Sequence, residues 1–399
     1  LMTTLAIVGA SLAGAKAAEA ARDADGDLRI VLVGDEGTAP YERPPLSKDV
    51  LRGEKEPDVA RVHPDGFYAE RGIELVTASV VSLEPIGRRL HLDNGDAIDF
   101  DRAVLATGAA PRRLIGSGAG LEGVHHLRTV DDAVRLRDAI GAGRRVAVIG
   151  AGWIGSEVAA SARQAGADVV LIDPAPTPLH RVLGDEIGRV FAQLHADHGV
   201  TLRLGASLRE LRGTQRVEKV VLDDGSIEPA DVVVVGIGVT PRVELAATAG
   251  IAVDNGILTN QYLETSVPGI YAAGDVASAW HPRYGRHVRV EHWANALNQG
   301  TTAGANAAGG HEAYDRLPYF FSDQYDAGLE YVGHAEPGDE VAVRGDLDGL
   351  QFTAFWQRDG AVTAAMHVNV WDALDDLKAI VVSGQLGTSP FGNGSGRSA

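Results

Sequence analysis

The stretch "LAIVGASLAG" at residues 5–14 aligns without gaps with "VAVIGAGWIG" at residues 146–155. In both copies a short apolar run leads through a glycine turn into an Ala-rich helix pattern, and a β-branched run follows at residues 28–36 and 168–174. This order predicts a βαβ unit of the dinucleotide-binding type. Because the pattern occurs twice, we predict two such units in tandem.

The similarity between the two units continues into a hairpin. Residues 90–112 are similar to residues 220–242, and each stretch contains an Asn-Gly or Asp-Gly turn between alternating apolar residues. Such turns are typical of two-residue β-hairpin connections. Both stretches then end on an apolar strand, a glycine and Pro-Arg, so each unit is predicted to carry an appended hairpin.

The glycine turns have a steric purpose. Gly9 and Gly150 are expected to make the tight turn, and the next motif position lets the backbone approach a pyrophosphate at a helix N-terminus. That position is Ser11 in the first unit and Gly152 in the second. Serine is still small enough for a close approach. A tight turn without a ligand remains the alternative for either unit.

Acidic residues close the second strand of each unit. Asp35, with Glu36 beside it, follows the first unit's strand, and Asp173 ends that of the second. A carboxylate there accepts hydrogen bonds from ribose hydroxyls and repels a 2′-phosphate. Since no arginine directly follows Asp173, we predict a preference for NADH over NADPH. A surface acid without a ligand is the alternative.

Composition narrows the possible functions. The chain has 399 residues and a net charge of −18, which argues against nucleic acid as the main partner. It contains no cysteine, which excludes disulfides, thiolate metal sites and a catalytic thiol. The 13 histidines show no spacing that indicates a metal site. No apolar run reaches 18 residues, so no membrane helix is predicted, and the Gly/Ser-rich tail 387–399 is predicted to be disordered.

Three further stretches carry candidate functional residues. In "TSVPGIYAAGDVA" (265–277) a short strand runs into Gly274 and Asp275, where a carboxylate and a helix start would meet a polyol and a phosphate. Helix capping by Asp275 is the alternative. Residues 290–309 predict a long helix entered through Trp293. In "APYERPPLSKD" (39–49) two prolines fix the backbone, which predicts a rigid mount with a single cation, Lys48, at its end.

Nine motifs follow one another along the chain in the order of one known family: "VGASLAG", "DE…PYERPPLSK", "LATGAAPR", "HLRTVDDA", "VIGAGWIGSEVA", "VVVGIGVTP", "AAGDVA", "VEHWANALNQG" and "YFFSDQYD". The chain therefore resembles the flavoprotein reductases that pass electrons to [2Fe–2S] ferredoxins of bacterial aromatic-ring dioxygenases and cytochromes P450. The resemblance covers about residues 3–385.

The resemblance implies an α/β fold of three domains like that of glutathione reductase, with two Rossmann-type domains and a C-terminal α+β domain. It implies FAD in the first unit and NADH in the second, a [2Fe–2S] ferredoxin or a rubredoxin as partner, and a cytoplasmic enzyme. The implied domains are an FAD domain in two parts (1–112 and 243–316), an NAD domain (113–242) and a C-terminal domain (317–386).

Motif positions also imply which residues bind the cofactors. The residues expected to line FAD are Gly9, Ser11, Ala13, Gly14, Asp35, Glu36, Arg43, Lys48, Val81, Ala106, Thr107, Gly108, Arg128, Gly274, Asp275 and Trp293. Those expected to line NADH are Gly150, Gly152, Trp153, Ile154, Gly155, Glu157, Asp173 and Gly236. One position departs from the family pattern, because Phe321 stands where a tryptophan is usual and an indole N–H donor is lost.

The resemblance assigns a catalytic role to Lys48 and Glu157. In this family the lysine and a glutamate in the first turn of the second unit's helix meet beside the flavin's reactive nitrogen. A cation there favours the reduced ring, and the glutamate holds it. A solvated lysine and a helix-dipole acid are the alternative.

Three other functions compete with this prediction. A disulfide reductase or thiol-dependent NADH oxidase needs a cysteine, which the chain lacks. A rubredoxin reductase differs only in its acceptor and stays open, as does a flavoprotein like apoptosis-inducing factor with mainly an interaction role. For an acidic ferredoxin, the basic clusters Lys48–Arg52–Lys55 and Arg283–Arg286–Arg289 are candidate docking sites.

Overall fold

A computed structural model describes residues 2–386, so the predicted disordered tail, 387–399, lies outside the described residues. The described helices are α1 (Leu12–Ala24), α2 (Phe67–Glu70), α3 (Val130–Ala139), α4 (Trp153–Gln164), α5 (His180–Asp197), α6 (Glu244–Thr248), α7 (Trp293–Ala307) and α8 (Leu374–Ser383). Short 3₁₀ turns form at Pro44–Ser47, Pro57–Ala60 and Gly274–Val276.

The described strands are β1 (Thr4–Val8), β2 (Arg29–Gly34), β3 (Ile73–Thr77), β4 (Val80–Glu84), β5 (Arg89–Leu92), β6 (Ala97–Asp99), β7 (Arg102–Leu105), β8 (Ala109–Pro111), β9 (Val124–His125), β10 (Arg145–Ile149), β11 (Asp168–Asp173), β12 (Thr201–Leu204), β13 (Leu208–Arg212), β14 (Lys219–Leu222), β15 (Ile227–Pro229), β16 (Val232–Val235), β17 (Val239–Pro241), β18 (Val253–Asp254), β19 (Gly256–Thr259), β20 (Ile270–Ala272), β21 (Ala277–His281), β22 (Arg286–Val288), β23 (Tyr319–Gln324), β24 (Ala327–Gly333), β25 (Glu340–Asp346), β26 (Gln351–Arg358) and β27 (Ala361–Val368).

The chain divides into two compact units. The first unit comprises the described residues up to Glu42, then Ala60–Ala110 and Thr240–Pro318. The second comprises Arg43–Val59, Pro111–Val239 and the described residues from Tyr319 onward.

The first unit is built on a parallel sheet with the strand order β20-β7-β1-β2-β3. Helices α1 and α7 cover one face of this sheet and share a core of small side chains with it. The two helices cross closely, and glycines on α7 make this possible. A Cβ on Gly300 would lie 2.3 Å from the Ala13 carbonyl oxygen, and a Cβ on Gly304 would lie 2.1 Å from the Ala17 carbonyl oxygen. The other face packs on the antiparallel sheet β4-β5-β6.

The second unit repeats this plan and adds a third layer. Its parallel sheet has the order β12-β11-β10-β16-β9, and the hairpin sheet is β13-β14-β15. A five-stranded antiparallel sheet, β23-β24-β27-β26-β25, follows at the C-terminus, with α8 packed against β24 and β27. Helix α5 packs on this sheet through Leu183, Ile187 and Phe191.

These sheets confirm the predicted fold class, with two parallel Rossmann-type sheets and a C-terminal α+β portion. Both predicted hairpins form, with Leu90 opposite Ile98 and Val220 opposite Glu228. No helix within residues 2–386 combines the length and apolar composition needed to cross a membrane.

Candidate active site

The first glycine turn lies at the carboxyl end of β1. Gly9 has a φ of +111°, and a Cβ there would lie 2.1 Å from the Ala106 carbonyl oxygen, next to the end of β7. A Cβ on Gly14 would lie 1.9 Å from the Gly9 carbonyl oxygen. Both glycines are therefore required by packing within the protein. Ser11 precedes α1 in extended conformation, and its hydroxyl donates a long hydrogen bond of 3.4 Å to the Tyr41 carbonyl.

The second glycine turn repeats the first at the end of β10. Gly150 has a φ of +101° and its Cβ would lie 2.3 Å from the Gly236 carbonyl oxygen, while a Cβ on Gly155 would lie 1.8 Å from the Gly150 carbonyl oxygen. Gly152 is different, because no described atom beyond its immediate neighbours along the chain lies within 4 Å of the position its Cβ would take. Packing therefore leaves open the one motif position that a pyrophosphate approaches.

The starts of α1 and α4 suit a phosphate group. Neither helix carries an acidic residue in its first turn, so nothing on the helix itself offsets the positive end of its dipole. Ser11, the N-cap of α1, makes no side-chain hydrogen bond to the helix, and Gly152, the N-cap of α4, has no side chain with which to make one. These features fit a dinucleotide pyrophosphate at each turn, and the second turn adds the open position at Gly152.

The two predicted ribose acids have different surroundings. Asp173 lies at the end of β11, where Oδ2 accepts a hydrogen bond from the Ala151 N–H at 2.6 Å and Oδ1 accepts one from the Ala175 N–H at 2.7 Å. The carboxylate is thus fixed to the glycine turn itself. Asp35 and Glu36 follow β2 and are exposed, and Glu36 accepts a hydrogen bond from the Tyr41 hydroxyl.

Other predicted cofactor residues of the first unit gather at the same sheet edge. Gly274 lies just past β20, and a Cβ there would be 3.0 Å from the Ala13 Cβ. The Gly274 N–H donates to Gln299 of α7 at 3.0 Å. Asp275 lies inside a 3₁₀ turn and is not its N-cap, so the capping alternative for this residue is not supported. Thr107 and Gly108 lie past β7, and Trp293 begins α7. Val81 is exposed and lies on β4 of the hairpin sheet, away from the strands of the parallel sheet.

The double proline forms the mount that the sequence predicted. Pro44 and Pro45 begin a 3₁₀ turn, Pro44–Ser47, for which their fixed φ is suited. The turn lies in the second unit, packed against α3 and α4. Arg43 precedes the turn and donates a hydrogen bond to the carbonyl of Arg128. Lys48 ends it, with its N–H donating to Pro45 O at 3.2 Å.

This mount directs Lys48 into the protein, where it pairs with Glu157 of α4. Lys48 Nζ lies 2.9 Å from Glu157 Oε2, and the two residues are only 9% and 7% exposed. The solvated-lysine alternative is therefore wrong. Helix α4 begins at Trp153, which places Glu157 in the second turn and not in the first. Glu157 is thus not a helix-dipole acid, and its partner is the lysine.

Two serines that the sequence analysis missed complete the surroundings of Glu157. Ser47 Oγ donates to Oε2 at 2.5 Å, and Ser322 Oγ of β23 donates to Oε1 at 2.7 Å. A third, Ser161, donates to the Ser47 carbonyl at 2.6 Å and ties the mount to α4. The Phe321 ring lies 5.7 Å from Lys48 Nζ. The site is a buried cation paired with a carboxylate that accepts a hydrogen bond from a serine at each oxygen.

One predicted docking cluster is not a positive patch. Besides the pairing of Lys48, Arg52 pairs with Asp49 at 2.6 Å and with Glu54 at 2.8 Å, and Lys55 pairs with Asp49 at 2.6 Å. These carboxylates cancel the charge that was expected to attract an acidic partner. In the second cluster Arg289 pairs with Glu291 at 2.5 Å.

Comparison with known families and proteins gives matches over nearly the whole chain. The pyridine nucleotide-disulphide oxidoreductase family matches residues 3–300, and the family described as "Reductase C-terminal" matches residues 319–386. The chain is 41% identical over 383 residues, 95% of this chain and 94% of the other, to the ferredoxin–NAD(+) reductase component of the anthranilate 1,2-dioxygenase system of Burkholderia cepacia.

Putidaredoxin reductase of Pseudomonas putida is 38% identical over 370 residues, which are 91% of this chain and 88% of that protein. Among solved structures, a covalent putidaredoxin reductase–putidaredoxin complex matches with a TM-score of 0.92 and 36% identity, covering 96% of this chain and 93% of that chain.

Proposed function

Because the chain belongs to the pyridine nucleotide-disulphide oxidoreductase family, and within it to the FAD-dependent ferredoxin reductases of dioxygenase and P450 systems, we propose that it is an NADH-dependent ferredoxin reductase supplying electrons to an oxygenase. The observation that carries this function is the buried Lys48–Glu157 pair in a chain without cysteine. Disulfide-active members of the fold need redox sulfur, which this sequence lacks, so a reduced flavin here would pass its electrons directly to an external acceptor.

Membership in the family implies binding of FAD and NAD. We assign FAD to the turn at Gly9 and NADH to the turn at Gly150, with the two sets of residues predicted from the sequence as their contacts. The four-part domain division predicted from the sequence, with an NAD domain inserted into the FAD domain, belongs to this proposal. A cytoplasmic location, where NADH is available, also stays a prediction.

When bound, FAD would supply the redox chemistry, since a flavin can accept a hydride from NADH and release single electrons to an iron–sulfur partner. The protein's own contribution is electrostatic. Lys48 provides a fixed positive charge that stabilises negative charge developing beside it. Its side chain is largely buried, so water screens this charge little. Glu157 holds the ammonium group, and Ser47 and Ser322 hold the carboxylate. The site thereby needs little rearrangement during the reaction.

The proposed function is tested by steady-state turnover with NADH and a panel of [2Fe–2S] ferredoxins and rubredoxins, followed through cytochrome c. We expect turnover with at least one ferredoxin and slow turnover with rubredoxins. Efficient reduction of rubredoxins alone would make the protein a rubredoxin reductase. A slow reaction that leaves a tight complex of the reduced protein with NAD⁺ would favour the interaction role.

Replacing Lys48 by alanine tests the catalytic pair. Because the variant removes the cation but leaves the donors to Glu157, we expect NADH-driven bleaching of the flavin to slow by about 100-fold, with FAD still bound. Stopped-flow absorbance measures the rate, and the flavin-to-protein ratio measures occupancy. Lys55→Ala is the matched control, since Lys55 is a more exposed lysine seven residues further along the chain. A normal bleaching rate in Lys48→Ala would remove Lys48 from the mechanism.

We propose that the ferredoxin docks by charge pairing with basic side chains of this protein, and Arg283, Arg286 and Arg289 stay the predicted candidates. Charge pairing of this kind acts mainly on association, so high ionic strength should slow reduction of the ferredoxin more than bleaching by NADH.

A further inference from the structure

A row of buried polar side chains leads away from Glu157 through the second unit. Ser322 Oγ contacts Glu157 Oε1 at 2.7 Å, and Gln324 Nε2 lies 3.4 Å from Ser322 Oγ. Gln324 Oε1 lies 3.1 Å from His195 Nε2 of α5, and Tyr325 Oη lies 3.4 Å from His195 Nδ1. Ser322, Gln324 and His195 are at most 1% exposed.

The ionised end of this row determines the direction of every hydrogen bond in it. Glu157, paired with Lys48, accepts only, so the Ser322 hydroxyl must donate to it. The Ser322 oxygen must then accept, and the group of Gln324 that faces it must be the NH₂ end. The amide oxygen of Gln324 therefore faces His195.

The Gln324 amide in turn determines the tautomer of His195. Since the amide oxygen of Gln324 accepts, His195 Nε2 must carry the proton. Its Nδ1 is then an acceptor, and the Tyr325 hydroxyl donates to it. All four hydrogen bonds point one way, from Tyr325 towards the carboxylate of Glu157.

Two further observations support a fixed, neutral imidazole. Burial lowers the pKa of His195 to about 4, so the ring is uncharged at neutral pH. Tyr325 takes a φ of +55°, which is strained for a residue other than glycine, and its ring stacks on His198 at 3.7 Å while its edge meets His195. The hairpin turn thus holds the tyrosine against α5.

We propose that His195 is a positioning residue of the active site, which orients the Gln324 amide and, through Ser322, the carboxylate that holds Lys48. Without the Nε2–H donor, nothing keeps the Gln324 amide oxygen pointed at His195, and the amide group can rotate by about 180°. Its oxygen would then face Ser322, which could donate to Gln324 in place of Glu157. Glu157 would lose its only donor at Oε1 among the described residues, and the lysine would be held less well. This inference rests on the proposed role of Lys48.

The experiment combines a structural and a kinetic measurement on the FAD-loaded protein. Nitrogen-15 NMR of histidine-labelled protein, with the signals assigned by comparison with His195→Gln, should show Nε2 protonated and Nδ1 bare at pH 7. For His195→Leu we expect NADH-driven bleaching to slow about five-fold, as the loss of one net hydrogen bond would give. His195→Gln keeps an N–H donor at the position of Nε2 and should bleach at close to the normal rate.

Gln193→Leu is the control on the same helix, because Gln193 is exposed and bonds only Asp197 among the described residues. A proton on Nδ1, a normal rate in His195→Leu, or equal slowing in the leucine and glutamine variants would each overturn the proposal. If His195→Leu does not fold, the tautomer of His195 in the unchanged protein still tests the proposal. If the flavin of Lys48→Ala bleached at the normal rate, the proposed role of Lys48 would be wrong. The tautomer of His195 would still show whether the hydrogen bonds from Tyr325 to Glu157 run in the proposed direction.

Discussion

The two glycine turns are alike where they pack and different where a ligand would approach. The first and third motif glycines have nearly the same close contacts in both, with Cβ positions 1.8–2.3 Å from a carbonyl oxygen. The middle position is Ser11 in one turn, bonded to Tyr41, and the open Gly152 in the other. The following acid is exposed at Asp35 and tied to the turn at Asp173.

The glycine motif serves two separate purposes in this protein. Close packing of helix on strand sets the outer glycines and does not depend on the ligand. The middle position and the acid face outward and are where the two sites differ. The Ala151 N–H orients Asp173 before any ribose arrives, whereas nothing comparable in residues 2–386 fixes Asp35.

Alanine at the third glycine should have the largest effect in either turn. Gly14→Ala and Gly155→Ala each push a methyl group into a backbone carbonyl, so we expect about 3 kcal/mol of lost unfolding free energy in each. Urea unfolding of the cofactor-free protein, followed by circular dichroism, measures it. A loss below about 1 kcal/mol in one turn only would show that the two turns do not pack alike.

Replacing the acids should separate the two turns. Asp173→Ala leaves two backbone N–H groups without their acceptor, and we expect a loss of about 2 kcal/mol of stability. Asp35→Ala should cost no more than about 0.5 kcal/mol. Asp173→Ala should also reduce the preference of kcat/KM for NADH over NADPH, which the unchanged protein is expected to show. Comparable kcat/KM for both nucleotides in the unchanged protein would refute the assigned role of Asp173.

The smallest effect is expected from exchanging the residues at the middle motif positions, Ser11 in the first turn and Gly152 in the second. Gly152 has an extended backbone and open space, so Gly152→Ser should change stability by less than about 0.5 kcal/mol. The added hydroxyl occupies space that the nucleotide would use, and we expect the KM for NADH to rise about five-fold, or about 1 kcal/mol. Ser11→Gly is the matched exchange in the first turn and should leave that KM unchanged. An unchanged KM in Gly152→Ser would place the nucleotide elsewhere.

The sequence predicted the parts of the molecule that repeat or follow a local pattern. Both sheets, both hairpins and the course of α7 follow from apolar periods, glycine turns and the Trp293 start. The predicted position of Glu157 in the first turn was wrong because helix α4 starts only at Trp153, after the Gly152 N-cap.

The surroundings of the Lys48–Glu157 pair were not predictable in the same way. Ser47, Ser322 and His195 come from segments far apart in the sequence, and no local pattern connects them. One signal was present, since Ser322 and Gln324 alternate along an aromatic strand and so share a face. Polar residues on a strand face that proves to be buried indicate a polar partner, but only the fold shows which one.

The close crossing of α1 and α7 has a consequence for how the protein is made. The Ala-rich face of α1 cannot meet its partner until roughly 280 more residues have been synthesised, a delay of about 15 s to about a minute at ribosomal speed. Strand β20, at the edge of the same sheet, is also translated late. The first unit is therefore begun with the first strand of the chain and completed only when its last segment, Thr240–Pro318, has been synthesised. The proposed binding of FAD to this unit belongs after that point.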